Sequence, residues 1–254
     1  MNWCGMLRAD IVNIGLLKKM KESGCQFIGY GFESYSPIVL KSMNKGIKPE
    51  DIKNALHLTM EAKINVLAGF IFGDIAETKE TAKETLDYWK DNAQAQINLF
   101  FIQPYPGSEL YKYCLKKGII KDKLDYIQNQ MSPDSRINMT EKMSDREIRE
   151  LNNVLLVLFN KYAKFVRPVF MKKMSANVYM FKIKCPYCHA EAVYKNCFVP
   201  NPFMYGFHLI CRNCHMRFVL VSAVQRIAYR FYSRTRSMRN RYVLIKTKLK
   251  RMFV

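Results

Sequence analysis

Gly29-Tyr30-Gly31-Phe32-Glu33-Ser34 is one of two stretches that decide the fold, and Gly69-Phe70-Ile71-Phe72-Gly73-Asp74-Ile75-Ala76-Glu77-Thr78 is the other. Each has the pattern of a buried strand that ends in glycines and an acidic residue and is followed by a helix. A β/α barrel builds its ligand site at the carboxyl ends of its strands in this way. The two stretches therefore predict neighbouring parallel strands whose ends share one binding site.

The sequence around these stretches alternates between apolar strands and amphipathic helices. Strands are predicted at 3–11, 26–32, 65–72 and 97–103, with helices at 14–24, 49–63 and 78–92 between them. Such alternation implies right-handed βαβ units and a parallel sheet that is buried on both faces. The predicted class is α/β, with about four βα units.

The alternation fades after residue 103. Pro104 to Tyr111 predicts a turn that leads into a short helix, and residues 122–142 are polar and irregular, which indicates a surface connection. Ser144-Asp145-Arg146-Glu147 is a capping box, and it predicts the start of a long helix.

Five motifs, in this order, resemble those of radical SAM enzymes of the B12-binding and related subgroup. They are Trp3 to Asp10, Glu33-Ser34, Leu40 to Gly46, Gly69 to Thr78, and Pro104 to Tyr111. The resemblance implies the third to sixth strands of an incomplete six-stranded β/α barrel that binds S-adenosylmethionine. Because the motifs keep their order along the chain, they are more specific together than any one glycine-rich loop.

The resemblance also implies which residues contact S-adenosylmethionine. Glu33 would accept hydrogen bonds from hydroxyl or amino groups of the cofactor, and Lys45 would pair with its carboxylate. Arg8 is a second candidate for that carboxylate. The alternative for Glu33 is an ordinary ion pair at a strand end, and for Lys45 a solvated loop cation.

Three further residues are implied on the adenosine side. Gly69 and Gly73 would let the backbone approach the adenosine closely, where a Cβ would collide. Tyr105 would cover the adenine. Tight turns are the alternative for the glycines, and Glu77 is expected to cap the next helix rather than to touch the cofactor.

One part of the family pattern is missing from this sequence. Radical SAM enzymes hold a 4Fe–4S cluster with Cys-x-x-x-Cys-x-x-Cys, and no such triad occurs in these 254 residues. Cys4, Cys25 and Cys114 are isolated and are expected to be buried structural thiols. We expect the cluster ligands in a longer protein or in a separately encoded N-terminal half, and no radical activity from this polypeptide alone. A paralogue that has lost its cluster is the alternative.

Two Cys-x-x-Cys pairs, Cys185/Cys188 and Cys211/Cys214, predict a second kind of metal site. Four thiolates make a closed tetrahedral zinc site, so this segment is expected to form a small zinc ribbon that folds largely because it binds metal. An auxiliary iron–sulfur cluster with Cys197 as an extra ligand is the alternative.

The chain carries a net charge of +20, and from Cys185 onward there are thirteen Lys/Arg but one acid, Glu191. A basic tail of this kind can bind nucleic acid or an anionic membrane surface. The alternative is a solvated, partly helical tail that only improves solubility. Four segments are therefore predicted: a partial barrel at 1–127, a helical extension at 128–174, a zinc-ribbon-like domain at 175–222 and a basic tail at 223–254.

Hydrophobic residues make up 49% of the chain and aromatic residues 13%, which predicts globular domains rather than disorder. There is no signal-peptide pattern at the N-terminus, and a reducing, cytoplasmic compartment is expected. The predicted function is the C-terminal portion of a radical SAM enzyme that, with its cluster, performs radical-based modification or methyl transfer, the latter with cobalamin. Its substrate is unknown. The alternative is a non-catalytic zinc-ribbon module that binds nucleic acid or anionic surfaces through the basic tail.

Overall fold

The computed structural model describes residues 1–92, 97–131 and 137–231, without the side chains of residues 156, 159 and 160. The chain divides into two compact units, Met1–Val154 and Leu155–Val254. Most of the predicted basic tail, from residue 232 onward, lies outside the described residues. None of the described helices combines the length and the apolar character needed to cross a membrane.

The first unit is built on a four-stranded parallel sheet in the order β1-β2-β3-β4, which confirms the α/β class. Its strands are β1 (Trp3–Leu7), β2 (Cys25–Glu33), β3 (Asn65–Phe72) and β4 (Asn98–Phe101). Its helices are α1 (Ile14–Glu22), α2 (Pro37–Ser42), α3 (Pro49–Glu61), α4 (Lys79–Asp91), α5 (Glu109–Lys116) and α6 (Lys123–Asp125), with a 3₁₀ turn at Ala9–Ile11 and a π turn at Tyr126–Gln130.

Local signals explain where the helices begin. α3 starts at Pro49, and the Asp51 carboxylate accepts the Lys48 N–H at 2.8 Å. Proline suits the first helical turn because the N–H that it lacks would have no partner there. A long helix, α7 (Asp145–Tyr162), begins at the predicted capping box, where the N–H of Ser144 donates to Glu147 at 2.7 Å.

One face of the parallel sheet is not covered, which corrects the prediction of a sheet buried on both faces. Phe32 and Phe70 are fully buried on one face, whereas Met6 is 81%, Leu67 39% and Phe100 52% exposed on the other. The reason is topological. Strands in consecutive order that are joined by right-handed crossovers place all their helices on the same side of the sheet.

The connection after α5 is more buried than its polar sequence predicts. Tyr126 is fully buried and Met139 is 1% exposed, and both pack in a small cluster with Tyr111 and Cys114. The hydroxyl of Tyr126 donates to the carbonyl of Pro104 at 2.9 Å. This contact anchors the loop between β4 and α5.

The second unit contains two three-stranded sheets, in the orders β6-β7-β8 and β5-β10-β9. The strands are β5 (Phe165–Val166), β6 (Phe170–Ser175), β7 (Val178–Lys184), β8 (Glu191–Phe198), β9 (Gly206–Ile210) and β10 (Arg217–Val221). Residues 223–231 are helical and are named α8. The aromatic and aliphatic core includes the fully buried Phe181 and Leu220.

The segment 128–174 is therefore only partly the helical extension that was predicted. It contains all of α7, but also β5 and nearly all of β6. Short strands of this kind form because distant segments pair with them. β5 pairs with β10 and β6 pairs with β7, and neither partner is visible in a local pattern.

Candidate functional site

The carboxyl ends of the parallel strands form one edge of the first unit, where the sequence predicts the cofactor site. Leu7 pairs with Tyr30 near the ends of β1 and β2, Glu33 pairs with Phe70 across β2 and β3, and β3 and β4 end together at the Phe72–Phe101 pair. This edge therefore carries Arg8, Glu33 and Gly73, each at or directly after the end of its strand.

Glu33 and Lys45 form an ion pair at this edge. The Lys45 ammonium donates to the Glu33 carboxylate at 2.9 Å, and the two side chains are 31% and 19% exposed. The pair lies directly over Gly31, because a Cβ on Gly31 would come within 2.8 Å of the Glu33 oxygen and 2.9 Å of the Lys45 nitrogen. Gly31 thus belongs to this candidate site, although the strand motif alone does not distinguish it from the neighbouring glycines.

The backbone at Glu33 is unusual and helps to place its carboxylate. Its φ is +61°, in the left-handed region that most non-glycine residues avoid. The pairing of β2 with β3 also shifts register between Tyr30 and Glu33. A backbone conformation that costs of order 1 kcal/mol must be stabilised by the surrounding structure, and residues in such conformations concentrate at functional sites.

Arg8 lies close to the loop that carries Lys45. Its guanidinium makes a paired contact with Asp10, at 3.0 and 2.9 Å, and its side chain is 59% exposed. One guanidinium nitrogen is 3.8 Å from the position that a Cβ on Gly46 would take. The structure therefore brings Arg8, Glu33 and Lys45 into one region, with Arg8 held by an acid of its own.

The turn after β3 is closed by Glu77. The N–H of Gly73, whose φ is +95°, donates to one Glu77 oxygen at 3.3 Å, and the Thr81 hydroxyl donates to the other at 2.7 Å. Glu77 is 1% exposed, and burial raises its pKa to about 7. The helix is capped by Thr78, which accepts the Thr81 N–H at 3.2 Å. The expectation that Glu77 caps α4 is therefore wrong, because its carboxylate reaches back to Gly73.

Two of the residues predicted to contact the adenosine, Gly69 and Tyr105, make contacts within the protein itself. A Cβ on Gly69 would lie 3.0 Å from the Phe100 ring, so this aromatic side chain already packs closely against the backbone there and would have to shift for a larger residue. Tyr105 is 61% exposed, and its N–H donates to the Gln103 carbonyl at 3.0 Å. Contacts of Gly69 and Tyr105 with the adenosine stay predictions.

The four cysteines of the two Cys-x-x-Cys pairs converge in the second unit. Their sulfur atoms all lie within 4.8 Å of one another, and the Cys185–Cys214 and Cys188–Cys211 separations are both 3.7 Å. Four thiolates bound at about 2.3 Å to one tetrahedral ion are separated by roughly 3.8 Å. The geometry therefore suits a single metal ion.

Each cysteine pair sits in a tight backbone turn of the same design. His189 donates its N–H to the Cys185 carbonyl at 3.1 Å, and His215 donates to the Cys211 carbonyl at 3.0 Å. Both histidines have a positive φ, +60° and +58°. The turns also direct N–H groups at sulfur, because Tyr187 and Asn213 donate to Cys185 and Cys211 at 3.4 Å. Such donors stabilise thiolate ligands.

The remaining cysteines lie outside this group. Cys197 is not one of the four, and its thiol lies 3.9 Å from the carbonyl of Tyr194. Cys25 and Cys114 are buried as predicted, and burial raises the pKa of Cys114 to about 11. Cys4 is exposed, contrary to prediction. It pairs with Phe27 in register and shares the uncovered face of the sheet.

A sequence profile of the radical SAM superfamily matches residues 4–88, from β1 to α4. This stretch contains Arg8, Gly31, Glu33, Lys45, Gly69 and Gly73. The match covers the first three strands of the parallel sheet together with the helices that connect them.

Curated proteins are similar to this chain over less than half of its length. A methyltransferase of Pyrococcus horikoshii, named as uncharacterized, is 31% identical over 121 residues, which is 47% of this chain and 26% of that protein. Bacteriochlorophyllide d C-8(2)-methyltransferase of Chlorobaculum tepidum is 28% identical over 106 residues, 41% of this chain and 24% of that protein. The anaerobic magnesium-protoporphyrin IX monomethyl ester cyclase of Rubrivivax gelatinosus is 29% identical, over 47% of this chain and 22% of that protein. The chain thus spans about a quarter of the length of these relatives.

Two solved structures are also similar. The Elp3 protein of Methanocaldococcus infernus gives a TM-score of 0.42 at 15% identity, over 72% of this chain and 53% of that one. The radical S-adenosylmethionine methyltransferase TsrM of Kitasatospora setae gives a TM-score of 0.35 at 20% identity, over 43% of this chain and 22% of that one.

Proposed function

We propose that the first unit is the S-adenosylmethionine-binding part of a radical SAM enzyme. The observation that carries the proposal is the Glu33–Lys45 ion pair, held over Gly31 at the carboxyl end of β2. S-adenosylmethionine has an ammonium, a carboxylate and two ribose hydroxyls. An acid and a base side by side can exchange their mutual contact for contacts with groups of opposite charge on such a ligand.

The residues of this edge fit the proposed cofactor. Gly31 lets both members of the ion pair lie against the backbone, because a Cβ there would come within 2.8 Å of the Glu33 oxygen and 2.9 Å of the Lys45 nitrogen. Arg8 adds a second cation, and Gly73 ends β3 without a side chain. When bound, S-adenosylmethionine would supply the group that is cleaved or transferred, while Glu33 and Lys45 would hold and orient its methionyl or ribose part.

The cysteines of this chain do not fit the family's 4Fe–4S cluster. In such a cluster the three thiolates bind three different irons, whereas the four converging sulfurs of this chain lie within 4.8 Å of one another, as around one ion. Cys4, Cys25 and Cys114 have no Cys-x-x-x-Cys-x-x-Cys spacing.

The reaction of the whole protein is proposed from the names of its relatives. Methyl transfer or another radical-based modification is favoured, because these relatives are named as methyltransferases and a cyclase. Methyl transfer through cobalamin is part of this proposal, and the substrate is left open. The polypeptide alone is expected to show no radical cleavage of S-adenosylmethionine after anaerobic reconstitution with iron and sulfide.

Binding of S-adenosylmethionine to the purified chain tests the proposal. Titration calorimetry should show saturable binding that weakens about tenfold or more in Glu33→Gln and in Lys45→Met, since each removes a charge-assisted hydrogen bond. Glu61→Gln is the matched control, because Glu61 is half-exposed on α3 and contacts His57. Equal affinity in all three variants, or no binding by the native chain, would contradict the proposal.

We further propose that the second unit binds one structural zinc ion through Cys185, Cys188, Cys211 and Cys214. The support is the sulfur spacing of a single-ion site and the two matching turns around it. Metal analysis of the purified protein should give one zinc per chain. Iron with inorganic sulfide in that place would favour the auxiliary cluster instead.

A further inference from the structure

The net charge of the chain belongs almost entirely to the second unit. Residues 1–154 contain 21 Lys/Arg and 20 Asp/Glu, whereas residues 155–254 contain 20 Lys/Arg and one acid, Glu191. Such an imbalance attracts a polyanion over a distance of about one Debye length, roughly 10 Å in moderate salt. Charge alone does not distinguish a nucleic acid from an anionic membrane.

The helix α8 supplies the distinguishing observation. Its inner face is packed, because the Arg226 guanidinium lies 3.8 Å from the centre of the Phe165 ring, and Tyr229 lies 5.7 Å from the same ring. Its outer face is apolar and exposed: Val224 is 52%, Ile227 66% and Phe231 67% exposed. These three residues follow the helical spacing of a single stripe.

A loop beside α8 adds two more exposed apolar side chains. Phe203 is 77% and Met204 47% exposed. The loop is ordered, since the Asn201 side chain accepts the N–H groups of Phe203 and Met204 at 3.0 and 3.3 Å. Its end is tied to the start of α8, where the N–H of Ser222 donates to the Tyr205 carbonyl at 3.0 Å.

We propose that this surface is a membrane-docking site that inserts into the interface of an anionic lipid bilayer. The apolar patch is defined as Phe203, Met204, Val224, Ile227 and Phe231. Transfer of such apolar side chains from water to the acyl boundary is favourable, and the excess of Lys/Arg in this unit favours its approach to anionic head groups. A phosphate backbone would attract the same cations but would offer Val224, Ile227 and Met204 nothing. The proposal is independent of the proposed cofactor site.

Vesicle flotation with the zinc-loaded full chain tests the proposal. The protein should bind vesicles of phosphatidylcholine with about 30% phosphatidylserine and not vesicles of phosphatidylcholine alone, and raising salt to about 0.5 M should weaken binding. Ile227→Gln combined with Phe231→Gln should lower the partition coefficient about tenfold or more. Phe170→Gln combined with Met174→Gln is the matched control, because these side chains of β6 are 52% and 53% exposed but lie outside the patch.

A second measurement separates insertion from charge attraction. Both native tryptophans, Trp3 and Trp89, lie in the first unit, so a tryptophan placed in the second unit reports on that unit against a constant background. Phe203→Trp should be quenched by brominated lipid, and Phe170→Trp should not be.

Four results would overturn the proposal. They are no binding to anionic vesicles, binding that the patch and control substitutions change equally, no bromine quenching of Phe203→Trp, and binding to a single-stranded oligonucleotide that the patch substitutions weaken as much as vesicle binding. The last result would assign the surface to nucleic acid.

Discussion

Replacing Glu77 by glutamine should change the pH dependence of the stability of the first unit. The Glu77 carboxyl is 1% exposed, and its pKa is raised from 4.5 to about 7, first because burial disfavours the charged form. Hydrogen bonds from Thr81 and Gly73 act in the opposite direction but do not offset the burial.

The direction and the size of the change in stability follow from this pKa shift. At low pH the carboxyl is protonated in both the folded and the unfolded chain, and no penalty arises. As pH rises from about 4.5 to about 7, the unfolded chain releases its proton first, so the folded state loses stability. A shift from 4.5 to about 7, at about 1.4 kcal/mol per pKa unit, amounts to about 3 kcal/mol above neutral pH. Glu77→Gln carries no charge and avoids this loss.

Urea unfolding followed by tryptophan fluorescence measures the effect, because Trp3 and Trp89 both report on the first unit. The variant loses an acceptor for the Gly73 N–H, which costs about 1 kcal/mol at every pH. The stability of the native chain relative to the variant should then fall by about 3 kcal/mol between pH 4.5 and 8. A difference that stays constant within about 0.5 kcal/mol between these two pH values would contradict the prediction.

Three other perturbations have defined outcomes. Glu147→Gln should show the opposite pH dependence, because Lys79 lowers the pKa of Glu147 to about 2. In urea unfolding the native chain should be more stable than the variant at neutral pH, and this difference should disappear as pH falls from about 4.5 towards 2. Gly31→Ala should lower S-adenosylmethionine affinity about fivefold or more by calorimetry, because its Cβ would separate the ion pair, while Gly15→Ala in α1 should not. Removing the metal from the second unit with a chelator should abolish hydrogen-exchange protection in β7 and β8. Unchanged protection there would contradict a structural role for the ion.

The parallel sheet could be predicted because its signals are local. The strand at 65–72 has its predicted bounds, and the helix predicted after it starts at Lys79 behind a threonine cap. In apolar runs that end in glycine and are followed by amphipathic helices, the local sequence indicates where each strand and helix begins and ends. The uncovered face could not be predicted in this way, because whether Met6 or Phe100 is covered depends on the direction of every crossover in the sheet.

The candidate site also has features that the sequence could predict and features that depend on packing. Glu33 and Lys45 could be selected by type and position, but their contact over Gly31 depends on a left-handed residue and a register shift that no pattern shows. Gly69 illustrates the converse. This glycine within β3 is as well explained by the Phe100 ring of the adjacent strand as by a ligand, and a sequence does not show which neighbour the glycine accommodates.

The cysteine group was the most predictable site because its geometry is set over short distances. Each Cys-x-x-Cys turn holds two sulfur atoms close together within four residues. A four-ligand site therefore forms when two such turns pack against each other. Glu77 lies at the other extreme. An acid before a helix is read as a cap, yet this one is almost completely buried, with a pKa of about 7, because its carboxylate reaches back to the glycine that ends β3. The raised pKa follows from burial, and burial is a property of the packed turn rather than of the motif. The sequence therefore predicted an acidic residue at this turn, while packing buried its carboxylate and raised its pKa.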